Sequence, residues 1–194
     1  APNRVLVNEY LKYREIKEIT EIAKELLKQN PLNDNVPLAV MKWLNEQFNK
    51  KEFRDVAETK EKWNTPEETL KFKFEDCDGY GVLEYYIIRE MFKQKGLWEQ
   101  VKHRLKCVCG NVNNRGSIPS VNGGHFYLIW LHSDGDWYVV ESTYFRPSAI
   151  LEYGVLPHKL NPVYGVMWWT FNEKYSFCQQ SIVITKKDFK KNKK

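Results

Sequence analysis

The sequence predicts an α+β protein in which helices come first and strands follow. Two observations support this. Apolar residues recur at helical spacing up to about residue 95, whereas runs rich in β-branched and aromatic residues, joined by a hairpin signal, begin after residue 104. At 194 residues the chain is long enough for one well-buried domain.

The first two helices are predicted from amphipathic periodicity. Residues 15–28 place their Ile and Leu side chains on one stripe among charged residues, and Asn30-Pro31 ends this helix. A second helix begins near Pro37, because proline suits a first helical position, and runs to about Phe48. Both stripes are packing surfaces, so we assign them no chemistry.

A capping box starts a third, short helix. In Thr65-Pro66-Glu67-Glu68, proline stands at the first helical position and the second glutamate can reach back to the threonine amide. Trp63 stands just before this box, where it can pack as a staple. The helix is expected to end near Phe72.

The stretch Glu75-Asp76-Cys77-Asp78-Gly79-Tyr80-Gly81 places a cysteine at the start of a longer helix. Asp76 suits the cap, and apolar residues recur at helical spacing until Gly96, which marks the end. A thiolate in the first turn is stabilised by the macrodipole and the free amides. The two glycines weaken the helix, which indicates that something approaches its backbone closely. The simpler interpretation is a buried, unreactive cysteine, as most free cysteines are.

Strands are predicted for residues 104–112, 123–131, 137–143 and 181–185. Cys107 and Cys109 are two residues apart, so they share one face of the first strand. The alternative is a zinc site that these two residues form with His103 and Cys178. The spacing favours the strand face, because it lacks the C-x-x-C pairs typical of zinc.

His125 opens the second strand and Glu141 lies on the third. A hairpin turning at Asp134-Gly135 places residue 125 opposite about residue 144. Glu141 is therefore within a few residues of His125, and a register shift or bulge would bring them together. A carboxylate beside an imidazole holds the ring and raises its basicity. A lone histidine on an apolar strand is more often a packed residue, and this alternative stays open.

Cys77, His125 and Glu141 supply, in chain order, the three groups that acyl transfer by a thiol requires. The imidazole takes the thiol proton and later gives it to the leaving group, and the acid fixes the tautomer of the ring. Amide hydrogens at the helix start can hold the oxyanion.

The motifs resemble those of the bacterial transglutaminase-like cysteine peptidases, within the papain-like and transglutaminase-like superfamily. Trp63-Asn64-Thr65-Pro66-Glu67-Glu68, followed by Glu75-Asp76-Cys77-Asp78, is similar to the family's tryptophan, Thr-Pro-Glu helix start and Gly-Asp-Cys-Glu-Asp nucleophile motif. Gly124-His125 and residues 137–143 are similar to its histidine and aspartate strands. The similarity covers about residues 36–145.

The resemblance implies N-terminal helices and a nucleophile-bearing helix packed on an antiparallel sheet. It implies that Cys77 is the nucleophile, that His125 is the base, and that Glu141 takes the place of the usual aspartate. Trp63, Asn64 and Asp78 are its candidates for oxyanion or substrate contacts.

Calcium is the one metal that the resemblance suggests. Family members that bind it use acids flanking the cysteine, which here are Asp76 and Asp78. Gly79 replaces the second acid after the cysteine, so we expect no resident metal or cofactor and keep calcium at these two aspartates as a weak alternative.

We expect a single transglutaminase-like domain over residues 1–185 and a basic tail over residues 186–194. The domain comprises a helical part (1–73), a catalytic core (74–145) and an aromatic part (146–185). Much of the net charge of +5 lies in the tail, which is typical of a solvated end, so nucleic-acid binding is not expected. No apolar run approaches the roughly 18 residues that span a membrane. Four cysteines without a dense framework, and no visible signal peptide, indicate a cytoplasmic protein, or a virion-associated one if phage-encoded.

The expected function is a thiol-dependent hydrolase or acyltransferase that acts on amide bonds of a peptide or protein. Hydrolysis and transamidation share this chemistry and differ in whether water or an amine resolves the acyl-enzyme. The alternative is a catalytically inactive binding or structural module on the same fold, for instance in a phage virion. The glutamate in the aspartate position motivates this alternative.

Overall fold

The computed structural model describes residues 7–48, 63–72, 77–112, 123–143 and 153–177. Its α-helices are α1 (Lys17–Gln29), α2 (Val36–Gln47), α3 (Pro66–Phe72), α4 (Cys77–Gln94) and α5 (Trp98–Val101). Its strands are β1 (Leu105–Val112), β2 (Gly123–Leu131), β3 (Trp137–Val140), β4 (Tyr164–Phe171) and β5 (Ser176–Phe177). Short 3-10 helices span Val7–Leu11, Lys102–Arg104 and His158–Leu160.

The five strands form one sheet in the order β3-β2-β1-β4-β5, and every neighbouring pair is antiparallel. Helix α4 packs on β2 and β1, and α1, α2 and α3 pack on α4. The structure confirms the predicted α+β class and the predicted packing of the cysteine helix on an antiparallel sheet.

Helix α4 is buried along almost its whole length, from Cys77 to Phe92. It ends as predicted at Gly96, whose φ of 69° is the left-handed conformation that glycine adopts without strain. The amides of Gly96 and Leu97 donate to the last carbonyls of the helix, at 3.0 Å each. The helix is therefore a central element with the sheet on one side and helices on the other. Among the described residues, none of the helices is both long enough and apolar enough to cross a membrane.

The two faces of the sheet carry different clusters. Phe126, Leu128 and Trp130 of β2 join the main core under α4. The residues between them, including Tyr127 and Ile129, join a smaller cluster on the opposite face, together with Tyr164 of β4. The alternation of a strand therefore separates the helix-facing residues from a second buried set.

The capping box before α3 is confirmed. The Thr65 amide donates to Glu68 Oε1 and the Glu68 amide donates to Thr65 Oγ1, each at 3.2 Å. Helix α1 begins at Lys17, two residues later than predicted, because Ile16 has an extended backbone and its carbonyl accepts the first helical bond. Asn30 ends the helix as expected, and α2 begins at Val36 with Pro37 in its first turn.

Strand β3 is shorter than predicted, since it ends at Val140 and not near Thr143. The Thr143 amide donates to the side chain of Glu141 at 3.0 Å, so the backbone turns away from the ladder at this point. The predicted strand at residues 181–185, the basic tail and Cys178 lie outside the described residues.

Candidate active site

Cys77 is the first residue of α4, as predicted, and its side chain is 3% exposed. Amides in the first turn of a helix have no partner within the helix, so the sulfur lies at the end where negative charge is favoured. Gly81 lets this turn approach the sheet, because a Cβ there would lie 2.2 Å from the ring of Phe126. This contact confirms the expectation of a close approach near the glycines.

The Cys77 sulfur touches the start of β2. The amide of Phe126 donates to Cys77 Sγ at 3.4 Å, and Phe126 directly follows His125. Two bonds of about 1.5 and 1.3 Å join that nitrogen to the Cα of His125, so the sulfur lies within about 6 Å of this Cα. An N–H donor favours the thiolate over the thiol, because it interacts best with the charged form.

His125 and Glu141 are bonded to each other inside the protein. The Nε2 atom of His125 lies 2.8 Å from Glu141 Oε1, and both residues are 1% exposed. The structure therefore brings together the histidine and the acid that the sequence singled out. A register shift or bulge is not what joins them, since the ladder between β2 and β3 is regular.

The side chain of Glu141 crosses the sheet diagonally. Leu128 pairs with Val140, so the same register continued one step places residue 141 opposite Tyr127 and two residues away from His125. Residues offset by two on neighbouring strands share a face of the sheet and lie within reach of a long side chain. The extra methylene of glutamate, compared with aspartate, spans this offset.

Three donors from the described part of the chain surround the Glu141 carboxylate. Oε1 accepts from Tyr164 at 2.9 Å as well as from His125, and Oε2 accepts from the Thr143 amide at 3.0 Å. Burial alone would raise the pKa of Glu141. The charge and hydrogen bond of His125, together with the other two donors, outweigh burial and hold this pKa below its usual value. Glu141 is thus an ionised carboxylate, and the nitrogen facing it carries a proton.

A pair formed by a tyrosine and a second histidine lies beside this site. The hydroxyl of Tyr127 lies 2.8 Å from His158 Nε2, and the Tyr127 ring stacks on that of His125 with centroids 5.9 Å apart. Tyr164 packs on Tyr127 with centroids 4.8 Å apart. The sequence did not indicate that a tyrosine of the aromatic C-terminal part packs beside the site, because tyrosines on a strand are usually core residues.

Cys107 and Cys109 lie on the face of β1 that packs under α4, as the strand interpretation predicted. Burial raises the pKa of both thiols well above the usual value. Neither resembles Cys77, which starts a helix. No group of three or more potential metal ligands occurs within the described ranges, and Cys178, the fourth member of the zinc alternative, is outside them.

Trp63 and Asn64 precede α3 and are both 1% exposed. The Trp63 ring packs against Phe126 and Phe171, with centroids 5.2 and 6.1 Å away. This packing fixes the segment beside the start of β2. The role of Trp63 and Asn64 in oxyanion or substrate contacts stays a prediction.

Asp78 is 1% exposed in the first turn of α4, whereas Asp76 lies outside the described residues. Calcium takes six to eight oxygen ligands, and Gly79 contributes no side-chain oxygen in this turn. The described residues therefore do not fit a calcium site by themselves, and calcium at Asp76 and Asp78 stays the weak alternative to the predicted absence of a metal.

Comparison with known proteins identifies the fold. No protein-family model and no curated protein sequence matches the chain. Among solved structures it is similar to LapG of Legionella pneumophila in its calcium-bound form, with a TM-score of 0.56 and 14% identity over 90% of this chain and 88% of that one. The EGTA-treated form of LapG matches with a TM-score of 0.56 and 13% identity over 93% and 96% of the two chains.

At an identity of 13 to 14% the similarity shows a shared fold. It does not by itself show a shared chemistry. The chain therefore has the transglutaminase-like fold that its motifs predicted.

Proposed function

We propose that this chain is a thiol-dependent hydrolase or acyltransferase that acts on amide bonds of a peptide or protein. Cys77 is the nucleophile, His125 the base and Glu141 the orienting acid. The observation that carries the proposal is the buried 2.8 Å bond between His125 and Glu141, one residue from the amide that touches the Cys77 sulfur. LapG is a transglutaminase-like cysteine protease, and the shared fold supports a peptidase-like enzyme with a protein substrate.

The position of the proton on the His125 ring determines which of its nitrogens acts as the base. Glu141 holds the proton on Nε2 of His125, so Nδ1 is the nitrogen that takes the proton of Cys77. The thiolate then attacks the carbonyl carbon of the substrate. The C–N bond breaks as Nδ1 returns the proton to the leaving amine, which leaves a thioester on Cys77. Water or a second amine attacks this thioester, with His125 again as the base, and releases the thiol.

The oxyanion of the tetrahedral intermediate needs donors near Cys77. The amides of the first turn of α4 are suited to this because no carbonyl within the helix accepts from them. Asn64, Trp63 and Asp78 remain the side-chain candidates for contacts to the oxyanion or the substrate.

A non-catalytic binding or structural module on the same fold is the second candidate function. The observation that favours it is the near-complete burial of Cys77 and His125, which are 3% and 1% exposed. A substrate carbonyl must displace neighbouring atoms to reach such a sulfur. In this case Cys77 reacts as an ordinary thiol does, and an unperturbed cysteine ionises at about pH 8.5.

The pH dependence of Cys77 alkylation separates the two candidates. We expect iodoacetamide to modify Cys77 of the folded protein at about pH 6, well below the pH at which an ordinary thiol ionises. Mass spectrometry of the labelled peptides compares Cys77 with Cys107 and Cys109, and the urea-unfolded chain supplies the ordinary rate of each. A Cys77 profile that matches an ordinary thiol would overturn the enzyme proposal.

Turnover is tested with a library of unstructured peptides read by mass spectrometry. Cys77→Ala should abolish cleavage, whereas Cys109→Ala, a buried cysteine on the strand beside β2, should retain it. A primary amine such as dansyl cadaverine, added to the same reaction, distinguishes transamidation from hydrolysis because it becomes attached to the acyl product.

A further inference from the structure

We propose that Tyr164 is a positioning residue that holds the Glu141 carboxylate in the orientation that serves His125. This inference rests on the proposed function and deepens it. The hydroxyl of Tyr164 donates to Glu141 Oε1 at 2.9 Å, and this is the same oxygen that lies 2.8 Å from His125 Nε2. Tyr164 is itself 5% exposed. Nothing in the sequence pattern distinguished it from the other aromatic residues of its strand.

The contact reaches across the sheet. Tyr164 is on β4 and Glu141 follows β3, with β1 and β2 between them. Two long side chains must therefore extend toward each other over the same face, where Tyr127 and Tyr164 form part of one cluster.

Gly110 of β1 lies close to this cluster. It is the register partner of His125 on β2. A Cβ at Gly110 would lie 2.8 Å from the Val166 carbonyl oxygen and 3.3 Å from the Tyr127 hydroxyl. The β1–β4 pairing shifts register on either side of Gly110, and such bulges re-aim side chains near functional sites. One of these irregularities lies between Gly110 and the Val112–Tyr164 pair, directly beside Tyr164.

Glutamate in the acid position explains why such a contact is needed. Its side chain has one more rotatable bond than aspartate, so more orientations must be excluded before the imidazole is held. The Thr143 amide fixes Oε2 and Tyr164 fixes Oε1. Among the residues that the structure describes, the titratable groups that face this carboxylate are His125, Tyr127 and Tyr164, with His158 behind Tyr127.

The first test is the pH profile of Cys77 alkylation in Tyr164→Phe. This variant keeps the ring and removes only the hydroxyl donor, so the buried carboxylate becomes easier to protonate. The low-pH limb of this profile is the range in which the alkylation rate of Cys77 falls as the pH decreases. We expect this limb to shift to higher pH by about one unit. Tyr127→Phe is the matched control, because it removes a hydroxyl from the same cluster that bonds His158 and not Glu141. Its low-pH limb should stay in place.

The second test reads His125 directly and does not depend on Cys77. In the protein with ¹⁵N-labelled histidine, the Nε2-bound proton of His125 should give a downfield, slowly exchanging NMR signal. We expect this signal to broaden or vanish in Tyr164→Phe and to persist in Tyr127→Phe. Thermal unfolding of both variants verifies that each is folded.

The third test asks whether Tyr164 acts through Glu141. In a Glu141→Gln background, Tyr164→Phe should produce no further shift of the limb, since a glutamine does not titrate. An unchanged limb and NMR signal in Tyr164→Phe would overturn the role of Tyr164 and leave the proposed function intact. Ordinary thiol behaviour of wild-type Cys77 would overturn the proposed function, while the His125 signal would still decide whether Tyr164 holds the pair.

Discussion

Glu141 reaches His125 diagonally, from a position opposite Tyr127, and its Oε1 atom stops 2.8 Å from the ring nitrogen. The contact depends on side-chain length, because the backbone register alone leaves the two residues offset. The glutamate in this position is therefore adapted to the geometry of this hairpin, and a return to the usual aspartate is not a neutral change.

Glu141→Asp should impair the site even though it restores the residue that the resembled family carries. The shorter side chain withdraws the carboxylate by more than 1 Å from both His125 and Tyr164, and a misplacement of about 1 Å can cost about 100-fold in rate. The rate of Cys77 alkylation at mildly acidic pH measures the loss, with Glu141→Gln as the variant that keeps the length and removes the charge. Wild-type reactivity in Glu141→Asp would show that the diagonal reach is unimportant.

Gly81→Ala should destabilise the protein, against the usual helix preference for alanine. Alanine is about 1 kcal/mol better than glycine within a helix. Its Cβ would lie 2.2 Å from the Phe126 ring, which is itself packed on Trp63 and Phe171. Overpacking of this kind costs about 1–3 kcal/mol, so urea unfolding should show a net loss.

A smaller residue at position 126 provides the control. Phe126→Leu should relieve part of the penalty, so the double variant should be more stable than the sum of the two single changes predicts. Gly135 lies in the hairpin turn, and a Cβ built there has no described atom within 4 Å. Gly135→Ala should therefore show no coupling with Phe126→Leu. Additive behaviour of Gly81→Ala with Phe126→Leu would contradict a clash with the ring.

The local elements could be predicted because each is determined by residues near it in sequence. The capping box at Thr65, the Asp134-Gly135 turn and the glycine after α4 act within a few residues. The motif around Cys77 predicted the helix start for the same reason.

The contacts that complete the site could not be predicted in this way. Tyr164 and Glu141 are 23 residues apart in sequence, and their contact depends on the strand order and on the bulges beside Gly110. The end of β3 depends on the hydrogen bond that the Thr143 amide donates to the Glu141 side chain, and the periodicity of the sequence does not reveal such a bond. These are properties of the assembled sheet.

Calcium should have no effect on the stability of this protein. Gly79 removes one of the acids that flank the cysteine in calcium-binding members of the resembled family, which leaves too few oxygen ligands near Asp78 within the described part of the chain. We expect the same Tm in about 10 mM calcium and in EGTA, because even weak calcium modules, with dissociation constants up to about 1 mM, are largely filled at that concentration. A rise in Tm with calcium that Asp76→Asn or Asp78→Asn abolishes would establish a site at these residues.

Asp34 should make the fold sensitive to acid, through contacts far from the candidate site. It lies just before α2 and joins that helix to the β2–β3 hairpin, because its carboxylate accepts from Trp130 at 3.0 Å, from the Ser133 hydroxyl at 2.6 Å and from Arg104. Burial opposes ionisation of Asp34, but the bonds from Ser133 and Trp130 outweigh it and lower its pKa to about 2.

A carboxyl whose pKa is lower in the folded state stabilises the fold above its unfolded pKa of about 3.9, and this stabilisation is lost as the pH falls toward the folded value. Asp34→Asn should therefore lower the free energy of unfolding at pH 7 by about 2 kcal/mol, the typical size for hydrogen bonds to a charged group. The difference from wild type should shrink as the pH falls from about 4 to about 2. Urea unfolding across this pH range measures the difference.

Asp136→Asn is the control, because the Asp136–Lys159 pair is 36% and 67% exposed, and such surface pairs contribute at most about 1 kcal/mol. A loss in Asp34→Asn that is the same at every pH would contradict the role of the charge.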